Sequence, residues 1–152
     1  MTQTPTSNAQ GKIILGIDPG YDRLGWAVAR RTSGGWRDLE LGCIQTKRSL
    51  DLIERYQVLE TELQQIIEKY KPVEAGIETL YFTNNTTTGL KIAEVRGIII
   101  ACLLRNTVEV AQYNPVKIKQ AVTGNGRADK RAIAKMIKME FKLDGRKYLD
   151  YF

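Results

Sequence analysis

From Lys12 to Asp18 the chain reads KIILGID, a short apolar run that closes on Asp18-Pro19-Gly20. A run of this length ended by turn formers predicts a buried strand entering a tight turn. Arg23 to Arg31 and Trp36 to Gln45 read as two further strands joined by Thr32-Ser33-Gly34-Gly35, and so short a link makes an antiparallel meander. The period then changes. Leu50, Ile53, Leu59, Leu63, Ile66 and Ile67 recur at near-helical spacing with charges between them, which predicts an amphipathic helix over 49–70 with Ser49 as its N-cap. Beyond Pro72, Val73 to Leu80 predicts a fourth strand, and Asn84 to Thr88 offers capping residues to a helix from about Thr86 to Arg105. Thr107 to Tyr113 predicts the last strand. Asn114-Pro115 opens a helix to about Val122, Gly124-Asn125-Gly126 breaks it, and Asp129 to Lys142 predicts a basic amphipathic helix.

The order β-β-β-α-β-α-β-α-α predicts an α/β fold, a mixed five-stranded sheet with helices on both faces. The helix after the third strand must return the chain beside the first, so strand four runs parallel to strand one. Their carboxyl ends then form a switch point, where open α/β sheets bind ligands. Asp18 ends the first strand and Glu78 lies near the end of the fourth. Two carboxylates closing adjacent apolar runs lose hydration and repel each other unless a cation joins them. An all-oxygen site of this kind suits Mg²⁺ or Mn²⁺.

Composition narrows the chemistry further. The 152 residues, 43% of them apolar, are one domain's worth of chain with a real core. Residues 1–11 read as a polar, flexible leader and 12–152 as the folded domain. There is no His, which excludes Ser-His-Asp and Cys-His catalysis and every His-ligated metal. Cys43 and Cys102 form no CxxC, so neither a zinc ribbon nor a redox pair is encoded, and a reducing, cytoplasmic setting is expected. The longest apolar run, Ile98 to Leu104, is too short for the roughly 18 residues of a membrane span, and no membrane association is expected.

Charge adds a partner. Lys117 to Lys147 holds ten basic and three acidic residues, a local balance of +7 in a chain whose net charge is +6. A basic C-terminal third beside a near-neutral remainder fits a polyanion such as nucleic acid, although a solvated helix face would give the same count.

These pieces together resemble the RuvC-type Holliday junction resolvases of the ribonuclease H-like superfamily. The resemblance is carried by Ile14-Leu15-Gly16-Ile17-Asp18-Pro19-Gly20, by Ile77-Glu78 followed by an aromatic and a helix, by Ala93-Glu94-Val95-Arg96-Gly97, and by Lys119 to Lys130. It implies a Mg²⁺-dependent crossover junction endodeoxyribonuclease with two metal ions per site, Mn²⁺ substituting. It assigns Asp18 and Glu78 as catalytic metal ligands and Asp150 as a third. The family's fourth carboxylate would lie three residues beyond Asp150, past Phe152, so a domain lacking its final helix is expected. Lys119 and Lys130 match basic positions near the scissile strand, Tyr81 matches an aromatic that meets unpaired bases, and Lys117, Arg127 and Arg131 extend the DNA contact. The implied partners are four-way junction DNA and the RuvA and RuvB branch-migration proteins.

The helix from Thr86 is apolar on two sides. Leu90, Ala93, Gly97, Ile100, Ala101 and Leu104 form one stripe, and Ile92, Val95, Ile99 and Cys102 another. One stripe covers the sheet; the other needs a partner, either a second copy in a homodimer, which the resemblance favours, or further burial within the subunit. The expected function is resolution of four-way junctions in recombination and repair. The alternatives are a junction-binding module without catalysis, and a ribonuclease H-like nuclease acting on RNA-containing duplex.

Overall fold

The computed structural model describes residues 11–80 and 86–143. Over these the elements are β1 (Lys12–Asp18), β2 (Arg23–Thr32), β3 (Gly35–Gln45), α1 (Leu52–Tyr70), β4 (Glu74–Glu78), α2 (Thr86–Arg105), β5 (Glu109–Tyr113), α3 (Pro115–Thr123) and α4 (Lys130–Glu140). They form a five-stranded sheet in the order β3-β2-β1-β4-β5. β1 pairs antiparallel with β2 and parallel with β4, and β5 extends the parallel half. The mixed sheet expected from the element order is therefore present.

Register decides which side chains meet the core. Leu15 lies opposite Val28 and Ala75, and Ile17 opposite Trp26 and Ile77, so the alternation of a strand turns all of them to one face. Onto that face pack Leu59, Leu63 and Ile67 of α1 and Val95, Ile99, Cys102 and Leu103 of α2, all buried in one cluster with the sheet. Asp18 and Glu78 have the opposite parity and stand on the other face, together with Trp36, which pairs with Arg31 in β2. α4 reaches that second face: its C-cap residue Phe141 meets Trp36 with ring centroids 6.0 Å apart.

Several element ends differ from the expectation by one to three residues. Helix α1 begins at Leu52, and its N-cap is Asp51, not Ser49. Asp51 Oδ1 accepts from the Glu54 backbone N–H and Glu54 Oε2 from the Asp51 N–H, each at 2.8 Å. This reciprocal capping box satisfies two of the helix's orphan donors where a lone Ser would satisfy one. β4 ends at Glu78 instead of Leu80, and β5 starts at Glu109 because Thr107 is left-handed, with φ of 57°. Among the described residues no helix is long and apolar enough to cross a membrane.

Candidate active site

The parallel pairing of Ile17 with Ile77 leaves Asp18 and Glu78 side by side at two adjacent strand ends. The turn after Asp18 holds it there. A Cβ on Gly20 would lie 2.3 Å from the backbone oxygen of Arg23, so only glycine lets the chain turn this tightly. The Thr46 hydroxyl donates to the Tyr21 carbonyl at 2.9 Å and the Thr46 N–H to the Asp22 carbonyl at 3.1 Å, which pins the turn to the end of β3.

Both carboxyls titrate above their ordinary range. For Asp18 burial is the larger cause, opposed by the Lys130 ammonium. For Glu78 burial again leads and the negative charge of Asp18 adds to it, while Lys119 and Arg96 pull the other way. Among the described residues neither carboxylate takes part in a salt bridge. Two adjacent carboxyls, Glu78 half-buried and Asp18 exposed at its strand end, both still raised despite the nearby cations, fit a hard divalent cation, which would lower both pKa values at once. Among the described residues no third acidic, Cys or His donor joins them. The expected ligand Asp150 and the expected base-stacking Tyr81 lie outside the described residues.

Two helices bring the ammonium groups. Asn114 caps α3 through its side chain to the Val116 N–H at 2.7 Å, and Asp129 caps α4 through the Ala132 N–H at 2.8 Å. Between them Gly126 passes so close to Val116 that a Cβ there would sit 2.6 Å from its Cγ1. The α3–α4 unit thus sets Lys119 in the field of Glu78 and Lys130 in that of Asp18. Lys119 is half-buried and Lys130 exposed. Lys117, Arg127 and Arg131 are exposed on the same unit, and neither carboxylate's titration registers them; they form an outer basic rim.

Comparison with known proteins identifies the family. The family described as "Crossover junction endodeoxyribonuclease RuvC" matches residues 14–149. The chain belongs to the RuvC family. A RuvC of Petrotoga mobilis is 39% identical over 132 residues, covering 87% of this chain and 81% of the relative. One from Brachyspira hyodysenteriae is 40% identical over 127 residues, covering 84% and 79%. Among solved structures, Thermus thermophilus RuvC in complex with a Holliday junction substrate superposes with a TM-score of 0.81 at 24% identity, covering 88% of this chain and 82% of that one. At that identity the likeness speaks to the ribonuclease H-like fold.

Within this RuvC-family site, the sequence pattern alone assigns no role to Arg96. It lies on the buried side of α2, only 9% exposed. Its Nη1 donates to the backbone carbonyl of Glu78, and its Nη2 to Gln112 Oε1 at 2.5 Å. Burial lowers its pKa and Glu78 raises it. One guanidinium therefore ties α2 to the last residue of β4 and to β5. The signal present in the sequence is a single charge between Val95 and Ile99, in a helix stripe that is otherwise apolar, because a buried charge needs partners.

The two stripes of α2 separate except at Ile92 and Ile100, both half-buried, of which Ile100 packs against the core instead of lying on the exposed side. Val95, Ile99 and Cys102 are buried, whereas Leu90 and Leu104 are 62% and 61% exposed, with Ala93, Gly97 and Ala101 exposed between them.

Proposed function

We propose that this chain resolves four-way DNA junctions by hydrolysing phosphodiester bonds, acting as a homodimer in recombination and repair. The observation that carries the reading is the Asp18–Glu78 pair at the β1 and β4 ends, flanked by ammonium groups from α3 and α4, in a chain of the RuvC family. Asp18 and Glu78 would hold the metal, Mg²⁺ with Mn²⁺ as a substitute. When bound, such ions lower the pKa of a water and neutralise phosphate charge.

The chain's own residues do the rest. Glu78 is half-buried and Asp18 exposed at its strand end, and holding the two carboxylates side by side at adjacent strand ends favours a shared cation. Lys119 and Lys130 are brought near the carboxylates by α3 and α4 before substrate arrives, and positive charge placed in advance lowers the reorganisation needed as charge builds on the phosphate oxygens. The water oxygen bonds to phosphorus, the 3′-oxygen leaves with the electron pair of the broken P–O bond, and each strand acquires a nick. Lys117, Arg127 and Arg131 hold neighbouring phosphates, which carry affinity without reading sequence. The exposed stripe of α2 supports pairing of two copies, and a junction with two equivalent strands matches a two-fold axis. RuvA and RuvB are the protein partners this family membership suggests, and two unpaired thiols, Cys43 and Cys102, suit the reducing cytoplasm.

The test is an end-labelled four-way junction incubated with and without Mg²⁺. Paired nicks that need the metal are expected, and Asp18→Asn or Glu78→Gln abolishes them while leaving binding intact. Cleavage by either variant within tenfold of the parent at saturating Mg²⁺ removes these residues from the metal site. Binding without any cleavage by the parent protein makes the chain a junction-binding module, and faster cutting of RNA–DNA hybrid makes it a ribonuclease H-like enzyme of a different substrate class.

A further inference from the structure

A second cationic surface lies near the end of β1, lined from α1 and α2, the helices that pack on one face of the sheet, whereas α4 reaches the other face. It is an open cavity of about 390 Å³ whose lining includes Tyr21, Asp22, Arg48, Arg55 and Lys91. The turn after Asp18 supplies its floor: Tyr21 and Asp22 are the third and fourth residues beyond that carboxylate, held by Thr46. Arg55 of α1 pairs with Asp22, which cancels one charge of each sign. Lys91 of α2 stands over the Tyr21 ring, 5.1 Å from its centroid, and Arg48 is an exposed residue of the β3–α1 loop. Neither Lys91 nor Arg48 has a carboxylate partner among the described residues, so the cavity keeps two net positive charges.

The chemistry that suits this surface is a phosphodiester chain. A compact anion is usually gripped by converging backbone N–H groups at a helix N-terminus, but at α1 two of these groups, the Asp51 and Glu54 N–H, are already taken by its own capping box. The remaining cations sit on long side chains along an open groove, the form that tracks a backbone with repeated charges. We propose that this groove is a second track for the DNA backbone, holding the strand on the far side of Asp18 and Glu78 from Lys119 and Lys130. A strand crossing the end of β1 is then gripped both before and after the bond to be cut. The proposal rests on the nuclease reading above and adds a binding surface to it.

Binding of four-way junction and of linear duplex, each without divalent metal, is measured against salt for Arg48→Gln, Lys91→Gln and the double variant. Each lost phosphate contact flattens the slope of log K against log salt by about 0.9. For two contacts that amounts to roughly 30-fold weaker binding at about 0.15 M salt. In cleavage, KM rises by a similar factor and kcat stays at the parent value. Slopes unchanged on both DNAs overturn the groove, whatever the junction preference. Flattened slopes in a protein with no preference for junctions support the groove and remove the junction reading instead. Loss of inorganic phosphate binding with unchanged DNA slopes assigns the cavity to a small anion and also overturns the proposal. Arg48 is exposed in a loop, so Arg48→Gln alone decides the matter should Lys91→Gln fold poorly.

Discussion

Arg96→Met removes a guanidinium while keeping most of the aliphatic volume, and its cost can be worked from the contacts it makes. Two hydrogen bonds disappear, to the Glu78 carbonyl and the Gln112 amide oxygen. Bonds from a charged donor contribute about 1.5–3 kcal/mol each, so the gross loss is about 3–6 kcal/mol. Met also escapes the cost of burying a cation, a cost visible in the downward pull of burial on the Arg96 pKa. The net destabilisation is about 2–4 kcal/mol, or roughly 5–15 °C in Tm for a domain of this size. Stability alone does not separate a positioning role from simple packing. The separating measurement is the Mg²⁺ concentration giving half-maximal junction cleavage, taken at a temperature where both proteins are folded. Loss of a group that orients a metal ligand typically weakens metal use 10- to 100-fold, and that rise is expected here. Arg96→Lys, which keeps the charge but reaches one acceptor instead of two, recovers part of it. If Arg96→Met lowers Tm but leaves half-saturation within twofold of the parent, Arg96 only packs and does not position Glu78.

The same contacts fix three further outcomes. Because the folded protein holds the Asp18 and Glu78 pKa values above their unfolded ones, the metal-free protein loses stability as pH rises from about 4 through those raised values. Asp18→Asn should therefore melt higher than the parent at pH 7 without metal, the gap closing below about pH 3; a lower melting point at pH 7 contradicts a net cost of the Asp18 charge in the folded state. Gly20→Ala meets the Arg23 carbonyl and should cost more than about 2 kcal/mol in urea denaturation, with junction cleavage falling further than stability alone explains; an unchanged midpoint would mean that the turn yields freely. Lys119→Gln and Lys130→Gln should each lower kcat for cleavage by about 10- to 1,000-fold, whereas equal kcat with a flatter salt slope would make either lysine a phosphate contact only.

Much of the sheet was legible because its signals are local. The turns after Asp18 and Thr32 and the change of period before α1 each lie within a few residues, and the parallel placement of β4 comes from handedness once α1 is recognised. Asp18 and Glu78 were legible for the same reason, as charges terminating apolar runs. Cap identity was less so: Ser49 and Asp51 are both good N-caps in isolation, and only the reach of Glu54 back to Asp51 decides between them. Arg96 and the groove were hidden for a different reason. Their partners, Glu78, Gln112 and Tyr21, are 18, 16 and 70 residues away from the cation they meet, and a charge balance summed along the chain cannot register neighbours created by folding. Counting by segment placed the positive charge in the last third and left the remainder near neutral, although Arg48 and Lys91 lie in that remainder.

The separation of the two carboxylates also bears on how the protein comes into being. Asp18 and Glu78 are 60 residues apart, and they become neighbours only when α1 has crossed over and β4 has paired with β1. The antiparallel hairpins β1–β2 and β2–β3 need no later part of the chain and can form as soon as they leave the ribosome. At that stage a nascent chain carries one carboxylate, no guanidinium from α2 to steady its partner, and neither ammonium from α3 and α4. On the proposed assignment every described component of the site except Asp18 thus arrives after the segment that folds first. A half-made molecule therefore lacks Glu78 and both ammonium groups with which the proposed reaction is carried out.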